Sequence, residues 1–500
     1  LLGLLLSVPA AFAQDAPLPE PVPDAAPDEV PPPPTELDEL RARLADIEAE
    51  LRELRDEPAA PPPDVAASEG SVAAVGTEGV IVELPLSMRL RVSGHLRVRG
   101  EARSLSDYRA PGTFGRPAAE DADDGEDFVL QRAWISLDFQ FHQHLRGVVS
   151  VMDSRQWGDQ TVGADASETY VREAFVEVQE LFDQPLTIKL GRGLVPALGD
   201  QRLFSALDPW ANVPRIWDGV QVTYAPKGWW VTGFANNLRE ANVQTPRGDE
   251  HDDFWLTGLY ASCRLIEKHE LDAYFVWRNL SDDIFSNQAG TRTGDREDYT
   301  AGARLKGETG PLGYSGEAVI QWGSQAGERV QAFAAAAKSW FTQKLDEDSK
   351  LRLGVEYAFA SGDQDPTDGV NETFDPIFPF GHFYHGHMDL MLWRNMHAFS
   401  AQAAFFPLPW VSLHLDGHVF WLDKRADAWY GVGRTQRRDP TGNAGSHVGT
   451  ELDAYVQVRL LENRLFLWTG YSHFWTGELV RDTGKSEDMD WVFAHLEFNF

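Results

Sequence analysis

Arg89, Arg91, His95, Arg97, Arg99 and Arg103 occupy one parity of the stretch MRLRVSGHLRVRGEAR, while Met88, Leu90, Val92, Leu96 and Val98 occupy the other. A guanidinium group is a planar fork of N–H donors that grips a carboxylate with two parallel hydrogen bonds, so a row of them is chemistry for recognising anions. The same parity places Arg132, Lys189, Arg278, Arg304, Lys306, Arg352 and Arg459 on the wet face of their own segments. They are opposed there by Asp138, Asp272, Glu356, Asp416 and Asp453. Such charges also serve simply to solvate a water-filled interior and to pair with one another.

Other constellations are weaker. His382, His385 and His387 have a spacing compatible with a transition metal, but no helix fixes them, and we expect neither a metal nor any other cofactor. Asp121, Asp123, Asp124, Glu126 and Asp127, and again Asp363, Asp365 and Asp368, offer oxygens for Ca²⁺ or for a divalent bridge to lipopolysaccharide. Solvated acidic loops are the simpler account. No nucleophile–histidine–acid set and no phosphate loop stands out, so the chain is not expected to be an enzyme.

Alternation at a period of two demands strands. The chain has 500 residues, 17 Trp, a net charge of -33 and one cysteine, Cys263, so no intrachain disulfide staples the fold. An acidic surface makes a nucleic-acid partner improbable. Residues 1–13, LLGLLLSVPAAFA, are too short to span a bilayer as a helix and end in a small-x-small pattern, which predicts the remnant of a signal peptide and hence export. Residues 14–34 form a Pro-rich acidic linker. In 35–57, Leu37, Leu40, Leu44, Ile47, Leu51 and Leu54 alternate three and four apart, the heptad seam of a short coiled-coil helix through which the chain would self-associate, with an amphipathic helix lying on the barrel or on nothing as the alternative. A second linker, 58–85, leads to the region 86–500.

That region contains eighteen alternating segments, from 86–103 through 390–405 to 488–500. Their connections alternate in length. Those at 142–144, 226–228, 267–268 and 462–463 are short; those between them are mostly long, acidic and Gly-rich, with an exception at 325–327 and 343–350. Short turns on one side and long loops on the other predict an all-β, transmembrane antiparallel barrel of about eighteen strands. Trp157, Trp229, Trp230, Trp340, Trp410 and Trp475 fall near segment ends, where aromatic rings sit at membrane interfaces. A lipid-facing Arg costs about 2–4 kcal/mol near the midplane, so the basic row must line the lumen. The final WVFAHLEFNF resembles the C-terminal signal read by the outer-membrane barrel assembly machinery.

LGRGLVPALGDQRLFSALDPWANVPRIWDGVQVTY, residues 190–224, resembles the alginate export family of outer-membrane barrels. The family pattern runs from a GR at a strand end to GD-x-RL, a DW-like pair and R-x-F-D-G-V. Arg192, Asp200, Arg202, Arg215 and Asp218 match it; Asp208-Pro209-Trp210 interrupts the DW pair, and Trp217 stands in place of Phe. HFYHGHMDLMLWRNM, residues 382–396, is similar to the family's H-x-Y-x-G-x-M-D block. The resemblance covers most of 86–500 and implies passive passage of an anionic polysaccharide or related anionic solute through a basic constriction. The expected path residues are Arg97, Arg99, Arg132, Lys189, Arg192, Asp200, Arg202, Arg215 and Asp218. Expected partners are anionic oligo- or polysaccharides or small anions, outer-membrane lipid and the assembly machinery. The barrel would sit in a bacterial outer membrane with its N-terminal arm in the periplasm. A general or phosphate-type trimeric anion porin and a tethering protein are the alternatives.

Overall fold

The computed structural model describes residues 80–84, 88–104, 108, 126–157, 168–193, 198–205, 210–213, 215–239, 254–382, 384–431 and 434–500. The signal remnant, the Pro-rich linker, the heptad segment and most of the second linker lie outside the described residues, as do the acidic residues 121–124. Among the described residues no helix is long and apolar enough to cross a membrane.

Strands β1 Val80–Leu84, β2 Met88–Arg103, β3 Glu126–His142, β4 Leu145–Trp157, β5 Glu168–Val178, β6 Leu186–Arg192 and β7 Ile216–Tyr224 come first. They are followed by β8 Trp229–Arg239, β9 Trp255–Cys263, β10 His269–Ser286, β11 Thr293–Thr309, β12 Leu312–Gln325, β13 Glu328–Lys344 and β14 Lys350–Ala360. After a two-residue β15, Val370–Asn371, come β16 Met396–Leu408, β17 Val411–Trp421, β18 Ala428–Gly431 and β19 Arg434–Arg438. The last are β20 His447–Leu460, β21 Leu465–Thr476 and β22 Met489–Asn499, with a short helix α1, Glu478–Thr483, before β22.

Eighteen of these, all but β1, β15, β18 and β19, pair antiparallel with their neighbours, and β22 returns to β2, so the sheet closes. The seam runs from His95↔Asn499 to Arg103↔Trp491, and Gly94 and Phe500 exchange both backbone hydrogen bonds below it, at 2.9 and 3.0 Å. Closure leaves no strand edge unpaired in hydrocarbon. The segment expected at 390–405 starts only at Met396, because the residues before it belong to a loop packed inside the barrel. The irregular pair of connections is real: Gln325 pairs with Glu328 across Ala326 (φ 46°) and Gly327 (φ 77°), a two-residue hairpin with both central residues left-handed.

The wall is inside-out relative to a soluble protein. Along β22, Trp491, Phe493, His495, Glu497 and Asn499 are buried, whereas Val492, Leu496 and Phe498 are 48%, 43% and 39% exposed. Leu96 and Val98 likewise point outward from β2 while Arg97 and Arg99 are buried. Trp157, Trp229, Trp410 and Trp475 are exposed as an interface belt requires. Trp230 and Trp340 instead turn inward, the first stacked on Tyr260 and the second packed against Gly313.

Candidate constriction site in the lumen

Two loops from the long-connection side fold into the barrel, and they carry the two sequence blocks singled out above. Backbone at this depth has no ladder to join, so each N–H and C=O needs a partner from the wall. The wall supplies charged side chains.

In the first loop, residues 210–212 present three successive carbonyls to the wall. Arg99 donates to the Trp210 oxygen at 2.5 Å, Arg97 and Arg132 to that of Ala211 at 3.0 and 2.8 Å, and the Ser154 hydroxyl to that of Asn212 at 2.9 Å. Arg97 also reaches Asn212 Oδ1 at 3.2 Å, and Arg132 Nε donates to His95 Nε2 at 3.0 Å. The Trp210 ring lies between the Arg99 guanidinium, 3.7 Å away, and the His382 imidazole, stacked at 4.0 Å. Arg97, Arg99 and Arg132 thus hold a loop in place.

The other end of that loop is an ion cluster. Arg202 donates to Asp200 Oδ2 at 3.0 Å and to Glu356 Oε1 at 2.7 Å, with its guanidinium 3.9 Å from the Tyr384 ring centre. Arg304 reaches Asp200 Oδ1 at 2.5 Å and pairs with Asp272 and Glu270 of the wall, while Ser315 donates to Asp200 Oδ2 at 2.6 Å. Burial alone would raise the Asp200 carboxyl; Arg202 and Arg304 outweigh it and hold the group well below the usual carboxylate range. Burial alone would lower the Arg202 guanidinium; Glu356 and Asp200 raise it. Gly199 has φ 57°, and a Cβ there would lie 1.9 Å from Glu317 Oε1, so the turn that delivers Asp200 accepts only glycine.

The second loop, 361–395, docks by the opposite polarity as well. The His387 and Met388 amides donate to Asp453 Oδ2 at 3.4 Å and Glu451 Oε1 at 2.9 Å. Asp375 receives Arg278, Arg296 and Arg394 at 2.9, 2.8 and 2.8 Å. The loops join each other through Ser205 N to Phe378 O at 2.7 Å, Phe378 N to Leu203 O at 3.1 Å and Phe380 N to Gln201 O at 2.9 Å. Burial, with Arg99 beside His382, Arg202 beside His385 and His382 beside His387, holds all three imidazoles well below their ordinary value, so they stay neutral. Among the described residues no group of three or more His, Cys, Asp or Glu is arranged to hold a metal ion.

The remaining path residues lie elsewhere. Lys189 faces the lumen 3.1 Å from Glu177. Arg215 is exposed, with its guanidinium 4.2 Å from the Phe378 ring centre. Arg192 and Asp218 form a bidentate pair, 2.7 and 2.9 Å, and stand in register on the parity of Leu190 and Val222, which are 57% and 40% exposed. That parity is the outward one. Arg192 also caps the Val171 carbonyl at 3.2 Å, closing the wall where β6 gives way to the loop, so this pair is placed outside the lumen. The sequence reading missed Asp375, Arg296 and Arg394 as a unit. Arg296 had the inward parity of its strand as a signal, but nothing local marks Asp375.

A family model described as alginate export matches residues 90–494. Among solved structures, the chain is similar to OccAB1 of Acinetobacter baumannii, at 12% identity and a TM-score of 0.53, covering 85% of this chain and 98% of that one. It is similar to Pseudomonas aeruginosa OpdQ at 12% identity and a TM-score of 0.51, covering 82% and 97%. Pseudomonas aeruginosa OccK2 (OpdF), solved in complex with glucuronate, matches at 13% identity and a TM-score of 0.50, covering 82% and 98%. At these identities the likeness is one of fold. No curated protein matches the chain.

Proposed function

Because the chain belongs to the alginate export family of outer-membrane porin-like barrels, we propose that it is a passive channel for anionic saccharides, either sugar acids or their polymers, which pass through the lumen alongside the docked loops. The observation that carries this reading is the inward parity. A chain of net charge -33 turns Arg97, Arg99, Arg132, Lys189, Arg278, Arg296, Arg304 and Arg352 into its lumen while its lipid face is apolar. In this reading the loop arginines act as a fixed positive frame, with Arg202 and Asp200 setting the aperture by anchoring the loop and Arg215 meeting solute directly. The glucuronate bound by OccK2 (OpdF) makes an acidic monosaccharide a sensible first probe.

The same reading puts the N-terminal arm in the periplasm, with 35–57 as a self-association helix and the last strand as the element recognised by the assembly machinery. The test is single-channel recording of the purified protein with and without glucuronate and oligouronates. Concentration-dependent blockade supports a saccharide path. A large anion current that oligouronates leave unchanged would favour a general anion porin, and a closed pore a tethering protein.

A further inference from the structure

Four consecutive strands carry polar groups on the outside of the wall. Arg192 of β6 and Asp218 of β7 pair on the outward parity, their side chains 30% and 33% exposed. On β4 the outward parity of Val149 and Val151 continues to Asp153 and Arg155, which pair at 2.6 Å. Thr169 of β5 donates to the same Asp153 carboxylate at 2.6 Å.

Depth sets this row apart. β6 has 7 residues and β13 has 17. At 3.3 Å per residue and a tilt near 40°, the rise from Leu186, at the turn, to Arg192 is about 15 Å, and that from Tyr224 to Asp218 is the same. On β13 the first outward charge counted from Phe341 is Arg329, about 30 Å up. The apolar band of such a wall is about 25 Å tall, so Arg329 clears it, whereas Arg192 and Asp218 stand within it. The aromatic belt has a gap at the same place. Trp157 stands above Asp153 and Arg155 on β4, and β9, β10, β11 and β12 turn Trp255, Trp277, Tyr299 and Trp322 outward. Among the described residues, strands β5 to β8 present no outward ring above Tyr224 and Trp229. Aromatic rings mark where a wall meets lipid headgroups. A flank that lacks them and holds charge inside the apolar band suits a protein neighbour better than lipid.

We infer that the outer face of β4–β7 is the contact between two copies of this chain, related by a two-fold axis along the membrane normal. An axis between β5 and β6 lays β4 of one copy against β7 of the other, with Arg155 opposite the partner's Asp218 and Asp153 opposite the partner's Arg192. Two cations and two anions placed in this way are their own complement under the rotation, as an isologous interface requires. Each charge then leaves lipid and gains a further partner of opposite sign. Val149, Val151, Val176, Leu190 and Val222, exposed below the row, supply the apolar contact. The inference adds to the self-association reading of 35–57 the face on which two barrels meet, and it is independent of what passes through the lumen.

The experiment is cysteine cross-linking of the full-length protein in outer membranes, with Cys263→Ser as the background. Leu190→Cys, beside the axis, should give a covalent dimer with a short bis-maleimide, and Ile320→Cys, exposed on β12, should not. Arg192→Asp with Asp218→Arg keeps that ion pair within its own chain but sets like charges across the contact, so cross-linking at position 190 should slow roughly tenfold or more. Adding Asp153→Arg with Arg155→Asp should restore it, which a merely local effect of the first reversal would not allow. Heat-modifiable migration confirms that each variant is a closed barrel. Equal cross-linking at 190 and 320, or an unchanged rate in the first reversed variant, would overturn the contact. Amine cross-linking of the unmutated protein separates the flank from the arm: oligomers that do not link through position 190 refute the flank and leave the arm reading standing, and an absence of oligomers refutes both.

Discussion

Arg202→Gln removes the guanidinium that joins the first lumen loop to the wall. The Glu356 side chain it leaves behind is 2% exposed and loses its 2.7 Å partner, while Asp200 keeps Arg304 and Ser315. Breaking one side of a buried ion pair costs about 3–5 kcal/mol, because the remaining charge stays desolvated. The wall does not bear that cost, since its strands are joined by continuous backbone ladders on both sides. The loop bears it, and with it the equilibrium between docked and displaced loop. A shift of this size changes that equilibrium by a factor of at least a hundred. The expected result in planar-bilayer recording is a larger mean conductance with frequent current steps, in a barrel that still migrates anomalously until boiled. Arg202→Lys keeps one point charge without the fork and should fall between the two. A Gln variant with unmutated conductance and a quiet current would refute the idea that this cluster anchors the aperture.

Acidity offers a second handle. Burial, then the charges of Asp427, Asp368 and Glu372, push the Asp363 carboxyl up to about 6. A carboxyl whose folded pKa is raised favours the folded state when protonated, so docking of the 361–395 loop should strengthen as pH falls from above 6 toward 4 and weaken as it rises. Asp363→Asn should fix the protonated behaviour, worth roughly 1–3 kcal/mol, and limited proteolysis of the loop against pH reads it; an unchanged pH profile in the variant would count against this. A Cβ at position 94 would lie 2.4 Å from the Trp134 oxygen and 2.7 Å from Phe500 Cζ. Gly94→Val should therefore reduce the heat-modifiable fraction, and normal assembly would show that the seam tolerates the strain. Leu44→Asp with Leu51→Asp should abolish cross-linked oligomers; identical patterns with and without the changes would leave 35–57 as a spacer.

The eighteen-strand wall was legible because lipid outside and water inside impose a period of two that no packing detail can blur. Parity alone placed Arg97, Arg99 and Arg132 inside. It did not reveal what they touch, because their acceptors at Trp210 and Ala211 are separated from them by 111, 114 and 79 residues, and no local pattern encodes a loop turning back into a lumen. The family blocks at 190–224 and 382–396 marked both loops. They did not show that Arg192 and Asp218 point outward, although both keep the parity of Leu190 and Val222, because a family pattern marks residues without marking the face they take. The start of β16 at Met396 was missed for a related reason: Leu390, Met391, Leu392 and Trp393 are apolar because they fill the lumen, not because they face lipid.

The central claim is that the lumen selects anions, and the reversal potential of the unmutated channel across a salt gradient tests it most directly. An anion preference that shrinks as ionic strength rises is expected, because the water-facing lumen cations such as Lys189 and Arg352 act over about 8–10 Å at ordinary salt and less when screened. A reversal potential of the opposite sign, showing cation preference at low salt, would contradict it.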